Sequence, residues 1–444
     1  MTSQTTSRAE LLASWDPNAG RWDEKFAWRT LSITTYNLTL AFVTWYLVSA
    51  FAVRLPGLGF DLSTTQLFWL TAMPGLSAGM LRLVWMFLPP LVGTRRLVTF
   101  STLLLLIPLL GWGFAVQDPG TPFWVLMVLA FLAGIGGGNF SGFMPSTSYF
   151  FPKAKQGTAL GIQAGIGNFG VSLVQFLVPW LIGFGLFGSL LGGPQPFRPE
   201  GKPASELWVQ NAAFFWVPFV VVGAVVAWLY LRAVPVQANF RQQMDIFRDK
   251  HTWVMTSLYL MTFGAFSGLA AVFAILIRTL YGDFPDAPDP LAYAFLGPLV
   301  GSAVRVAWGP LTDRLGGAFW TTVSGVGIVG SALFVSRWVT PESLAEFKWF
   351  VVGMLAVFFF TGVGNASTFK QMPMIFSPRQ AGGVIGFTAG IAAFGPFLAS
   401  VILSWQLSWN DDPRPFFHGL AIFAVFNVAL NVYYYQRKGA EKRS

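Results

Sequence analysis

Arg82 and Arg305 each lie inside a long apolar stretch of the sequence, and Lys370 lies in a third. A guanidinium offers two parallel N–H donors in one plane, which suits a planar anion, and a lysine cannot do this. A charge inside a membrane is costly unless it is paired, and every Asp and Glu lies in a predicted loop or tail. We therefore expect both arginines to contact backbone carbonyl groups, water, aromatic faces or an anion that binds and leaves.

The two arginines occupy matching positions in an internal repeat. Each is followed three residues later by a tryptophan, and the two Arg-x-x-Trp segments are 223 residues apart. Glycines at four-residue spacing repeat at nearly the same offset: Gly157, Gly161 and Gly165, then Gly382, Gly386 and Gly390. On a helix this spacing forms a ridge without side chains, which lets another backbone approach closely. Matching positions in pseudo-symmetric halves meet at a central axis, so we predict a central anion site. The alternative is that the side chain of each arginine extends to the membrane interface.

The composition is that of an integral membrane protein, with 54% hydrophobic residues, 11% charged residues and a mean hydropathy of +0.57. The sequence contains no Cys, which excludes disulfides and thiolate chemistry. Because the predicted spans hold no cluster of His, Cys or carboxylates, we expect no enzymatic activity, no cofactor and no metal site. The net charge of +9 could suggest a nucleic-acid partner, but the distribution of Lys and Arg fits membrane topology, so none is expected.

Twelve apolar stretches are long enough to cross about 30 Å of hydrocarbon. They are predicted at 32–54, 64–90, 97–116, 122–150, 157–187, 208–231, 253–277, 289–310, 317–336, 347–377, 380–405 and 415–436. The expected fold is an all-α multi-pass membrane protein with two pseudo-symmetric six-helix bundles, at 32–231 and 253–436. A polar linker at 232–252 joins the bundles, and polar tails occupy 1–31 and 437–444.

The charges of the loops predict the orientation. The side that holds both tails and the linker carries 18 Lys and Arg, against seven on the other side. The positive-inside rule then places both termini in the cytoplasm. No removable signal peptide is expected, because residues 1–31 have no apolar core. The Pro- and Gly-rich segment 188–206 is expected to be an external loop without regular structure.

Several motifs resemble those of a known family. The segment GPLTDRLGG at 309–317 resembles the loop signature of the major facilitator superfamily, and PPLVGTRR at 89–96 is a degenerate copy. The segments GNFSGFMPSTSYFFPKAKQGTALGIQAGIGNFG, GVGNASTFKQMPMIF and QAGGVIGFTAGIAAFG resemble the signature segments of the nitrate/nitrite porter family within that superfamily. The resemblance extends from about Trp22 to the last span.

The resemblance implies roles for particular residues. Arg82 and Arg305 match the family's anion-binding arginines, and the other matching residues are Phe42, Phe140 and Phe263 (aromatic cover), Tyr259 and Asn168 (anion contacts), and the six ridge glycines (helix sliding). Ala389 stands where the family resemblance leads one to expect a serine, so one anion contact is expected to be absent. Lys370 stands where an uncharged residue is familiar, and it is a candidate for ion coupling.

The implied function is nitrate/nitrite transport in the bacterial cytoplasmic (inner) membrane, in the context of nitrate assimilation. Two arginines repel each other in an empty cavity and a bound anion relieves that repulsion, so we expect nitrate/nitrite antiport by a monomer in the lipid bilayer. Nitrate/proton symport is the alternative, with Lys370 as the titrating group. A non-transporting nitrate sensor on the same scaffold is a further alternative.

Overall fold

The computed structural model describes residues 22–199, 203–233, 244–442 and 444. These residues include twelve long apolar helical spans, which confirms the predicted fold class. The first six are Glu24–Ala52 (α1), Thr64–Trp85 (α2), Thr94–Ala115 (α3), Phe123–Ser148 (α4), Lys153–Leu181 (α5) and Asn211–Tyr230 (α6). The second six are Lys250–Tyr281 (α7), Leu291–Leu315 (α8), Gly317–Val335 (α9), Leu344–Ile375 (α10), Gln380–Asn410 (α11) and Arg414–Gln436 (α12).

The first helix begins at Glu24, eight residues before the predicted span. Asp23 caps it, since its carboxylate accepts a hydrogen bond from the backbone N–H of Phe26 at 3.0 Å. Aromatic packing explains the extension: the indole Nε1 of Trp22 donates to the carbonyl oxygen of Phe150 at 2.9 Å, and Trp28 packs edge-on against Phe151. Residues 1–21 of the predicted tail and residues 234–243 of the predicted linker lie outside the described residues.

The segment 188–206 is not free of regular structure as expected. Gln195–Phe197 (β1) and Ser205–Leu207 (β2) form an antiparallel hairpin in which Pro196 lies opposite Glu206. The buried Phe197 ring anchors the hairpin, because it packs against Gly57, where any side chain would collide with it. The backbone N–H of Arg198 also donates to the carbonyl oxygen of Gly57 at 2.7 Å.

The two halves pack together through α2 against α11 and α5 against α8. At Gly75 of α2 the helix approaches backbone of the other half: a Cβ there would lie 2.5 Å from the backbone nitrogen of Phe397 in α11. A glycine is needed at this position because the obstacle is backbone, which cannot rotate away.

We call the end opposite the tails and the linker the far end of the protein. Hydrogen bonds and one ion pair between the two halves close it. The pairs are Tyr46 Oη to Ser267 O (3.0 Å), Gln175 Nε2 to Ala270 O (3.1 Å), Ser172 Oγ to Phe295 O (2.6 Å), Thr71 Oγ1 with Ser400 Oγ (3.0 Å), and Arg54 with Asp289 (2.6 Å). Each pair lies between the level of Arg82 and the far end. The two bundles are therefore joined on that side of the molecule.

Candidate functional site

Arg82 lies fully buried in α2 and is held by backbone and aromatic groups, as the sequence predicts. Its Nε donates to the carbonyl oxygen of Gly137 at 2.7 Å, and its Nη1 donates to that of Ala389 at 2.9 Å. The guanidinium carbon lies 4.6 Å from the centre of the Phe140 ring and 5.2 Å from that of Phe263. Nη2 has no hydrogen-bond partner among the described residues. One face of this arginine is fixed, and one donor nitrogen is left for a ligand.

Arg305 provides the corresponding charge from α8 and is 5% exposed. Its guanidinium carbon lies 4.7 Å from the centre of the Phe369 ring of α10. Neither Nη1 nor Nη2 has a hydrogen-bond partner within the described part of the chain. Together the two arginines present three buried terminal nitrogens without a partner, and buried N–H donors of this kind suit a small anion.

Four rings connect the two arginines, and we call them the aromatic cluster: Phe140, Tyr259, Phe263 and Phe369. Phe140 stacks on Phe263 at 6.3 Å between ring centres and meets Phe369 at 6.4 Å. Tyr259 completes the cluster at 5.3 Å from Phe263 and 5.2 Å from Phe369. Because Arg82 contacts Phe140 and Arg305 contacts Phe369, both guanidinium groups border the same cluster.

A local irregularity of α7 positions two of these rings. The segment Leu260–Gly264 forms a π-helical turn inside the span. Such a widened turn changes the angular spacing of neighbouring side chains and is frequent at functional sites. Here Tyr259 and Phe263 lie almost parallel, with 5° between their ring planes. The hydroxyl of Tyr259 is buried and has no hydrogen-bond partner among the described residues.

Phe42 and Asn168 lie next to these groups. The Phe42 ring packs 6.2 Å from Phe140 and 5.3 Å from Trp45, behind the aromatic cluster. Asn168 is fully buried in α5, and neither its amide oxygen nor its nitrogen has a partner in the described structure. One turn earlier, Gly165 contacts Val306, the neighbour of Arg305. Asn168 therefore lies at the interface of the halves, close to the level of Arg305.

Lys370, the candidate for ion coupling, does not lie beside the two arginines. Its Nζ forms an ion pair with the carboxylate of Asp313, and the two side chains are 37% and 61% exposed. Successive residues of a helix differ by about 100° in direction, so Lys370 points away from the site that Phe369 faces. Asp313 belongs to α8, and the expectation that every carboxylate lies in a loop or tail is wrong.

The two glycine ridges face the opposite half over part of their length. A Cβ at Gly386 would lie 3.1 Å from Met86, the residue after α2, and one at Gly390 would lie 2.9 Å from Leu83 of α2. Gly165 touches Val306 of α8. Gly161 and Gly382, which lie closer to the chain termini, have no neighbouring atoms within 4 Å of a built Cβ. Gly157 lies in α5. The ridges thus separate from their partner helices toward the termini.

Sequence reasoning missed Phe369 and Trp45. The ring of Trp45 lies 5.2 Å from the Arg82 guanidinium, and its Nε1 donates to the carbonyl oxygen of Pro74 at 3.0 Å. A signal for Phe369 was present, since Phe143 precedes it by 226 residues, close to the offset of the arginines. Among 45 phenylalanines such a match does not stand out.

Comparison with known proteins agrees with this architecture. The Major Facilitator Superfamily model matches residues 31–400. The chain is 67% identical to the "Probable nitrate/nitrite antiporter NarK2" of Thermus thermophilus, over 98% of this chain and 99% of that protein. It is 36% identical to the "Nitrate/nitrite transporter NarU" of Salmonella typhimurium, over 94% of each. The fold also matches an inward-facing crystal structure of a bacterial homologue of the human lysosomal transporter Spinster, with a TM-score of 0.64. The two sequences are 15% identical, and the match covers 92% of this chain and 97% of that one. The chain therefore belongs to the major facilitator superfamily and, within it, to the nitrate/nitrite porter family.

Proposed function

We propose that this protein exchanges nitrate for nitrite across a membrane by alternating access. The observation that carries the proposal is the pair of buried arginines, one from each half, whose three unpartnered terminal nitrogens border one aromatic cluster. The printed names of the relatives at 67% and 36% identity support the choice of anion.

The proposed site suits the chemistry of these anions. Nitrate and nitrite are planar and carry one negative charge, so guanidinium N–H groups can bind their oxygens within the plane. The rings of the aromatic cluster can cover the faces of the anion and exclude water. Because Nε and Nη1 of Arg82 already donate to backbone carbonyls, the anion meets a guanidinium of fixed orientation. Such preorganisation lowers the cost of binding.

The charges of the two buried arginines favour exchange over one-way transport. An empty closed site would hold two arginines in a low dielectric, and no described carboxylate pairs with them, which is costly. A monovalent anion offsets part of that cost, so the loaded carrier should change its orientation faster than the empty one. Proton symport remains the mechanistic alternative. Lys370, its candidate titrating group, is paired with Asp313 at the protein surface, and this favours exchange.

The loop charges support an orientation, and the bacterial relatives support a location. We propose that both termini lie in the cytoplasm, because 18 Lys and Arg lie on the side of the tails and linker. We propose the bacterial cytoplasmic (inner) membrane as the location, because the relatives at 67% and 36% identity are bacterial transporters. The bonded far end then faces outward, and the described conformation is closed to that side. All proposed anion contacts come from one chain, so a monomer is sufficient for transport.

Counterflow in reconstituted liposomes tests the exchange directly. Vesicles loaded with nitrite are expected to take up external labelled nitrate much faster than empty vesicles. That uptake is expected to persist when the proton gradient is collapsed. If empty vesicles accumulate nitrate only under an inward proton gradient, exchange is wrong and the symporter replaces it. If neither condition gives uptake by folded protein, a non-transporting sensor becomes the better account.

A further inference from the structure

Asn365 in α10 carries a buried amide that the anion site described so far does not use. Its side chain is 0% exposed, and neither its oxygen nor its nitrogen has a hydrogen-bond partner among the described residues. A buried amide without a partner is unfavourable, so such a group in a native protein calls for a ligand or a functional explanation. Asn168 has the same property but belongs to the other half of the protein.

Helix packing places Asn365 at the level of Arg305. The spans α8 and α10 are both even-numbered and run in the same direction, from the far end toward the termini. They touch at two glycines, since a Cβ at Gly362 would lie 2.6 Å from the carbonyl oxygen of Gly301. Arg305 lies one turn after Gly301, and Asn365 lies one turn after Gly362. The two side chains therefore leave adjacent helices at the same depth.

The direction of the Asn365 side chain follows from Phe369. The two residues are four positions apart and share one face of α10. The Phe369 ring contacts Arg305 and Tyr259, so this face borders the anion site. Long helical side chains lean toward the helix N-terminus, which brings the Phe369 ring over the turn that carries Asn365. On a different face, Gly364 is packed against Thr262 and Ser324.

We propose that the Asn365 amide donates a hydrogen bond to the third oxygen of nitrate and thereby favours nitrate over nitrite. This inference rests on the proposed function. The guanidinium groups are the strongest donors and are expected to bind two oxygens, which both anions possess. Nitrite has no third oxygen, so the amide adds binding free energy for nitrate only. The amide adds a hydrogen-bond donor but no third positive charge. The site therefore does not hold the anion so tightly that release is prevented.

The test compares half-saturation concentrations for nitrate and nitrite in counterflow, using the full chain with Asn365→Ala. A hydrogen bond to a charged group predicts a rise of about tenfold or more for nitrate. The rise for nitrite is expected to stay below about threefold on the same reasoning. Asn427→Ala is the matched control, because Asn427 is an equally buried asparagine of α12 whose amide donates to Phe423 O. This control should leave the ratio of the half-saturation concentrations for nitrate and nitrite unchanged.

Asn365→Ser covers the case in which the alanine variant does not fold. It keeps a shorter hydroxyl donor, and an intermediate ratio supports the proposal. An unchanged ratio in a folded variant, or equal weakening of both anions, overturns it. These outcomes leave the proposed function intact as long as the parent protein exchanges nitrate for nitrite. Absence of exchange by the parent would instead refute the proposed function.

Discussion

Arg82 donates a hydrogen bond from Nη1 to the carbonyl oxygen of Ala389, 2.9 Å away, and so joins the two halves of the protein at the proposed anion site. The acceptor is a backbone atom of α11, beside Gly390, where a Cβ would lie 3.6 Å from Arg82. Ala389 was expected to mark the loss of an anion contact, because it stands in place of a serine. Independently of that expectation, its carbonyl orients the arginine. Any motion that separates α2 from α11 at this level has to break or replace this bond.

Gly75→Ala is expected to destabilise the conformation that is closed at the far end. The added methyl would meet the Phe397 backbone nitrogen at 2.5 Å, and overpacking of this kind costs about 1–3 kcal/mol. The population open to the far end should therefore rise about fivefold or more. The measurement is the labelling rate of Ala399→Cys, a buried position on α11, by a membrane-impermeant reagent. Gly330→Ala in α9 serves as the control, because a Cβ there meets nothing within 4 Å. If Ala399→Cys is labelled at the same rate with Gly75 and with Gly75→Ala, then the glycine is not needed for closure at the far end.

Lys370→Gln is expected to retain nitrite-driven nitrate uptake within about threefold of the parent. Its ion pair with Asp313 is exposed, and exposed pairs contribute about 0–1 kcal/mol. The measurement is counterflow with and without an inward proton gradient. The matched variant Asp313→Asn removes the other partner of the pair and should behave alike. If the parent is accelerated by the gradient and Lys370→Gln is not, then Lys370 carries the proton and the exchange account fails.

The buried arginines of the proposed anion site were predictable because their residue type alone is informative. Arg82 and Arg305 are identifiable because a charge in an apolar stretch is rare, and their common offset predicted two matching halves. The ion pair of Lys370 was not predictable, because it depends on the rotation of α10 relative to α8 rather than on depth in the membrane. Phe369 was missed for a related reason. A phenylalanine that packs against lipid or core has the same sequence signature as one that lines a site.

The secondary structure was also predictable only in part. Long apolar stretches predicted all twelve spans. The hairpin of β1 and β2 was missed because its strands are three residues long and contain no run of alternating apolar residues. Its stability comes from a distant contact between Phe197 and Gly57, which local sequence does not reveal. The early start of α1 likewise depends on Trp22 and Trp28 packing against the end of α4.

The C-terminal segment is expected to detach from the start of α7 at acid pH. Glu441 pairs with Lys250 at 2.7 Å and approaches His251 at 3.3 Å. The Lys250 ammonium, and to a smaller extent His251, hold the pKa of this carboxyl below its usual range. A lowered folded-state pKa stabilises the docked segment above the unfolded pKa of about 4.3, and this stabilisation is lost as the pH falls through the folded value.

A spin label at Ala440→Cys reports this docking. Its mobility should be low at neutral pH and rise on acidification, and Glu441→Gln should raise it already at pH 7. The chain has no native Cys, so the label is unique. Mobility that is equal in both proteins at neutral pH would mean that the Glu441 pair does not hold the segment.

The proposed orientation predicts opposite accessibility at two exposed positions. Pro194 lies in the loop at the far end, and Lys438 lies beyond α12. In right-side-out vesicles, Pro194→Cys should react with an impermeant maleimide, and Lys438→Cys should react only after permeabilisation. The Cys-free parent gives the background. The reverse pattern would place the termini outside and would also reverse the side to which the described conformation is closed.

In the proposed mechanism, Arg82 and Arg305 bind one anion together. Its most direct test is the equilibrium binding of nitrate to the purified protein by calorimetry, compared with Arg82→Lys and Arg305→Lys. Both variants keep the charge but lose the planar donor pair, which is worth about 1.5–3 kcal/mol for a charged hydrogen bond. We expect one nitrate per parent chain and at least about tenfold weaker binding in each variant, with both variants still folded. Parent-like affinity in either folded variant would contradict it.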